Sequence, residues 1–126
     1  MINFWKKNLD NNEILKSVNI SLKKKSITEG FFSKKLKAEL SKLLKVKYIT
    51  LCPNGTMALY LALSSLKLKS NDEVIIPNRS WISTAHVLIK MNLKCKIVEV
   101  EKHRPIMDLN KLNKIITKKT KAIIAV

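Results

Sequence analysis

The chain has 126 residues, 46% of them hydrophobic, which is enough for one domain or part of one with a real core and excludes a disordered tail. Its formal net charge is +16, yet only Arg79 and Arg104 are arginines. The lysines are spread along the whole chain and the better reader of phosphates and base edges is nearly absent, so a basic nucleic-acid-binding module is the weaker alternative and no nucleic acid is expected as a partner.

The first residues carry charge and lack a long apolar run, and no stretch approaches the length of a membrane span. The expectation is a cytoplasmic protein with no membrane partner. Cys52 and Cys95 lie far apart and form no C-x-x-C pair, so two buried free thiols are expected and no metal site.

In chain order, Met1 to Lys25 reads as a polar N-terminal arm. Ile14, Val18 and Leu22 recur every four residues in it, as on a short amphipathic helix. Phe4 and Trp5 are candidates for a core edge or a partner contact. The stretch from Ser26 to Phe32 breaks the pattern and reads as a loop. Ser33 is a candidate cap for a following helix whose stripe is Phe32, Leu36, Leu40, Leu43 and Leu44.

A regular alternation then begins. Strands are expected at Tyr48–Cys52, Glu73–Pro77, Lys96–Val100 and Lys121–Val126, and helices at Met57–Leu66, Ile82–Met91 and Leu109–Ile116, the last capped by Asp108. The strands are short, β-branched and apolar on both faces, which predicts an α/β fold with a mostly parallel sheet flanked by helices. Ligands of such sheets sit at the carboxyl ends of the strands, so function is sought in the loops Pro53–Thr56, Pro77–Trp81 and Glu101–Asp108.

The first of these loops is the most informative. Pro53 ends the expected strand, Asn54-Gly55 is a turn pair, and an apolar helix follows. The amides of Gly55 and Thr56, with the Thr56 hydroxyl, would lie at a helix N-terminus and can hold a phosphate. The same pattern also fits a turn that binds nothing. Trp81 follows the second strand and offers a flat face for stacking on a planar ring, or else caps the core. Ser83, Thr84 and His86 could make polar contacts there or satisfy local hydrogen bonds at a helix start. No carboxylate or nucleophile stands visibly beside His86, and His103 sits in a polar loop that reads as surface.

Four segments then carry a resemblance, in order and in register over about a hundred residues. Ile27-Thr28-Glu29-Gly30 and its helix resemble the entry to the large domain of the DegT/StrS-type sugar aminotransferases. Asn54-Gly55-Thr56-Met57-Ala58-Leu59 resembles their S-G-T-x-A-L turn, and Asn71-Asp72-Glu73-Val74-Ile75-Ile76-Pro77 their G-D-E-V-I-V-P. The run from Thr117 to Val126 resembles T-x-R-T-K-A-I-I-x-V. Asn54 stands where Ser is usual, Lys45 where Gly is common and Lys37 where Glu is common.

The resemblance implies a pyridoxal-5'-phosphate enzyme of the aspartate aminotransferase fold, part of a homodimer. It would pass an amino group from an amino-acid donor to a nucleotide-linked keto sugar. A sugar dehydratase of the same fold is the alternative. The resemblance assigns Gly55 and Thr56 to the cofactor phosphate and Trp81 to the face of the pyridine ring. It places the family's Schiff-base lysine and its acidic partner beyond Val126, which implies no catalytic residue within 1–126. The implied division is an arm over 1–25 and the N-terminal part of the cofactor-binding large domain over 26–126. A natural truncation, a split gene, a fragment and an inactive remnant all stay open.

Overall fold

The computed structural model describes residues 10–24 and 29–126. Phe4, Trp5 and the stretch 26–28 lie outside the described residues. The chain divides into two compact units, Met1–Leu51 and Cys52–Val126.

The first unit holds two helices. Helix α1 spans Asn11–Lys23 and starts at Asp10, whose carboxylate accepts from the Asn12 amide at 2.9 Å. Helix α2 spans Phe31–Leu44. Its N-cap is Gly30 rather than Ser33. The extended Gly30 backbone leads directly into a first turn closed by the Lys34 amide on the Gly30 carbonyl, so Phe31 and Phe32 are helical and Ser33 lies inside the helix. The two rings meet edge to face at 5.3 Å. Helix α2 ends at Lys45, whose left-handed backbone (φ 52°) takes the place that glycine commonly fills in a helix end of this kind. Neither helix buries a residue fully.

The expected strand over Tyr48–Cys52 is absent. None of the described strands pairs with this segment, and an extended segment without a hydrogen-bonded neighbour is no strand; Tyr48 is 80% exposed.

The second unit is layered. Its elements are α3 (Gly55–Ser65), β1 (Glu73–Pro77), α4 (Ser83–Lys90), β2 (Lys94–Val98), α5 (Leu109–Ile115) and β3 (Thr120–Ile123). The strands form a parallel sheet in the order β2-β1-β3. β1 is the central strand and all five of its residues are buried. Alternate residues point to opposite faces of a strand. Val74 and Ile76 pack with Leu63 of α3 and with Val87 and Leu88 of α4. Ile75 packs on the opposite side with Val98, Met107 and Leu112 of α5.

Strand limits follow the partner rather than local propensity. β2 begins two residues before its expected start because Lys94 is in register with Glu73 and its amide bonds the Asp72 carbonyl. β3 stops before its expected end. The Ile124 amide still reaches the Ile75 carbonyl, but Pro77, whose backbone faces the same side, has no N–H to extend the ladder.

At the amino ends of the strands, Glu73 is buried. Its carboxylate accepts from the Thr117 hydroxyl at 2.7 Å and the Thr120 hydroxyl at 3.4 Å, and it pairs with Lys94 and Lys96. The Thr117 hydrogen bond is the largest influence lowering its pKa, followed among the lowering effects by the hydrogen bond and charge of Lys96 and the charge of Lys94.

Cys52 and Cys95 are free and half-buried rather than fully buried, and burial pushes the Cys95 thiol up. No described helix is long and apolar enough to cross a membrane.

Candidate functional site

The site is built from the start of α3 outward. Asn54 has extended backbone geometry and caps the helix through its side chain, which accepts from the Met57 amide at 2.9 Å. The Ala58 amide takes the Asn54 carbonyl at 3.1 Å. The amides of Gly55 and Thr56 come before the first intrahelical acceptor, so they remain unused donors at the positive end of the helix. The structure uses neither a left-handed Gly55 backbone nor a tight approach there: a Cβ at Gly55 would meet no atom within 4 Å. The value of glycine at this position is therefore the open space in front of the amides.

That space belongs to a cleft of about 490 Å³ whose lining includes Asn54, Gly55, Thr56, Ser80, Trp81 and Thr84. Gly55, Thr56 and Trp81, separate in sequence, thus share one cleft. Trp81 lies between β1 and α4 and is 78% exposed, so it does not cap the core. Thr84 is 3% exposed and its hydroxyl bonds Ser80 Oγ at 2.8 Å, the local role expected of a hydroxyl at a helix start. No described residue lining the cleft bears a charged side chain. An anion there would meet amides, hydroxyls and the α3 terminus rather than a cation.

His86 lies on α4 and lines a different, mostly apolar hollow of about 510 Å³ with Thr56, Met57, Tyr60 and Lys90. His103 is exposed in the loop before α5. Asp108 caps α5, accepting from the amides of Asn110 and Lys111.

Two contributors escape sequence reasoning. Asn78 donates its amide to the Val98 carbonyl at 2.8 Å and accepts from the Val100 amide at 3.0 Å, tying the β1–α4 loop to the end of β2. Its partners lie some twenty residues away, so no local signal reveals them. Asn54 was read only as a turn residue, although its capping role has a local signal, since Asn is a favoured N-cap directly before an apolar helix.

The fold, a parallel sheet flanked by helices, is of the class found in fold-type I pyridoxal-phosphate enzymes. Over 95% of its length the chain superposes on an Escherichia coli GDP-4-keto-6-deoxy-D-mannose-3-dehydratase solved with hydrated PLP, at a TM-score of 0.86 and 28% identity. It superposes over 94% on a Streptococcus pneumoniae protein assigned as a sugar aminotransferase, in its PMP form, at a TM-score of 0.86 and 29% identity. Residues 8–126 match the DegT/DnrJ/EryC1/StrS aminotransferase family, and the chain belongs to it.

Among curated relatives, a GDP-perosamine synthase of Vibrio cholerae is 31% identical over 99 residues, which are 79% of this chain and 27% of that protein. A GDP-4-keto-6-deoxy-D-mannose 3-dehydratase of E. coli O55:H7 is 29% identical over 117 residues, 88% of this chain and 30% of that protein. The chain thus spans under a third of the length of these relatives.

Proposed function

We propose that the chain forms the N-terminal, cofactor-phosphate-binding part of a pyridoxal-5'-phosphate-dependent aminotransferase acting on a nucleotide-linked keto sugar, with an amino acid as nitrogen donor. The observation that carries this reading is the single cleft that joins the unused amides of Gly55 and Thr56 to the exposed ring of Trp81. Amides and a hydroxyl at a helix N-terminus fit a phosphate monoester, and an exposed indole fits a planar ring. Gly55 and Thr56 would donate to the phosphate and Trp81 would cover one face of the ring. When bound, the cofactor supplies the electron sink for amino transfer.

Family membership supports the reaction class, and similarity to the V. cholerae synthase supports a nucleotide-sugar substrate. The second reading, dehydration of such a sugar on the same fold, is favoured by the likeness to the E. coli dehydratases. Further parts of the proposal are a cytoplasmic homodimer, the division into a 1–25 arm and a 26–126 cofactor unit, and no turnover by residues 1–126 alone. That last part rests on the resemblance, which aligns none of these lysines with the Schiff-base lysine.

The test is binding of pyridoxamine 5'-phosphate, which carries the ring and phosphate but no aldehyde to condense with surface lysines. Equilibrium dialysis read by its own absorbance should show Gly55→Val losing affinity, because the side chain would fill the open space before the amides. Trp81→Ala should lose roughly two- to thirteen-fold, corresponding to about 0.5–1.5 kcal/mol for an aromatic pair. Wild-type affinity in both variants would overturn the site.

A further inference from the structure

An indole that is 78% exposed gets little help from packing, so its place at the cleft depends on the backbone that carries it. That backbone runs from Pro77, the last residue of β1, to Ser83, the first of α4. Upstream of Trp81 it is tied down by the two Asn78 bonds to the end of β2. Downstream, the expected device would be a side-chain cap on α4, but the cap position is Ile82, which makes no such bond. The Thr84 amide instead donates to the Trp81 carbonyl at 3.0 Å, and the Thr84 and Ser80 hydroxyls bond each other at 2.8 Å. Thr84 therefore grips the chain at Trp81 and at the residue before it. Ser80 is exposed, whereas Thr84 is 3% exposed and β-branched, with restricted χ1. The buried threonine is the fixed end of the pair.

We propose that Thr84 is the positioning residue for Trp81: through the Ser80–Thr84 hydroxyl pair and the Thr84 amide it holds the β1–α4 loop in the one conformation that keeps the indole at the cleft. The role in cofactor affinity rests on the reading of Trp81 as the ring plate; the role in fixing Trp81 does not. Thr84→Val separates the hydroxyl contact from the amide contact. It keeps the branched shape and the backbone amide but removes the hydroxyl, and the exposed Ser80 can turn to water, so stability should change little.

The experiment uses the whole chain in a Trp5→Phe background, where Trp81 is the sole indole emitter. Time-resolved anisotropy without ligand reads Trp81 mobility, dialysis against pyridoxamine 5'-phosphate reads affinity, and urea unfolding reads stability. Thr84→Val is expected to loosen Trp81, to weaken binding by roughly two- to ten-fold and to leave the urea midpoint nearly unchanged. Ser80→Ala should act in the same direction and Thr84→Ser should restore both readouts. In a Trp81→Ala background, Thr84→Val should lose its effect on binding, because the two residues act as one unit.

Wild-type anisotropy in both Thr84→Val and Ser80→Ala overturns the proposal, as does a binding loss of the same size without Trp81. Loosened Trp81 with affinity unmoved in every variant, Trp81→Ala included, leaves the positioning role standing and overturns the cofactor role of the ring.

Discussion

Helices α1 and α2 bury none of their residues fully, whereas β1 buries all five of its own. Both regions are patterned with apolar residues. α2 carries the expected stripe, yet Leu36, Leu43 and Leu44 stay 48%, 76% and 58% exposed. β1 is short and begins on a glutamate, but it is central in the sheet, with α3 and α4 packed on one face and α5 on the other. An amphipathic stripe specifies that a face can be buried; a second surface has to bury it. The strand draws its neighbours from elements distant in sequence, and among the described residues of their own unit α1 and α2 have no comparable layer.

Removing the same amount of side chain from each region should have very different effects. Ile75→Ala, at a fully buried position, should cost about 2–5 kcal/mol in urea unfolding, through lost transfer free energy and the cavity left behind. A cost under 1 kcal/mol would mean that the sheet core is not a packed core.

Next comes acid. The depressed pKa of Glu73 means that its bonded, ionised state stabilises the fold fully above the ordinary carboxylate range and that this contribution is lost as pH falls through the lowered value. Glu73→Gln should therefore be less stable than the parent at pH 7, with Lys94 and Lys96 left without their carboxylate, and the gap should narrow at pH 3. Urea midpoints at the two pH values decide; an equal deficit at both would remove the carboxylate from the argument.

Asn54→Ala should cost about 1 kcal/mol by leaving the Met57 amide without its cap, with amide exchange quickened in the first turn of α3. Unchanged exchange there would show that the cap contributes nothing.

The smallest effect is expected at Leu43, where Leu43→Ala should stay within about 0.5 kcal/mol in the same urea assay. A loss of several kcal/mol would show that the α2 stripe is covered in solution and would erase the contrast with β1.

Much was legible from local chemistry. β1 was expected at Glu73–Pro77 and lies there, because the four ladder-competent residues Glu73 to Ile76 are bounded by Asp72 and by Pro77, which ends the strand. Asp108 was expected to cap α5 and does so, since a cap acts within three residues. The turn at Asn54-Gly55 and the helix after it were readable for the same reason. Features that depend on a partner were misplaced. The Tyr48–Cys52 strand has the right composition but no ladder, the limits of β2 and β3 were set by β1, and the start of α2 was set by the Gly30 backbone rather than by the Ser33 hydroxyl.

The class of fold was already written in the alternation of short β-branched strands with helices, and family membership in four short segments in register. These are local or ordered signals that need no knowledge of what touches what. Tertiary structure decided that Gly55, Thr56 and Trp81 share one cleft, that Trp81 stands exposed there, and that Asn78 ties the loop before Trp81 to the end of β2. The physical reason is that a cleft and its supports are made by chain segments some twenty or more residues apart, and their meeting is fixed by strand pairing across the sheet rather than by any residue's own preference.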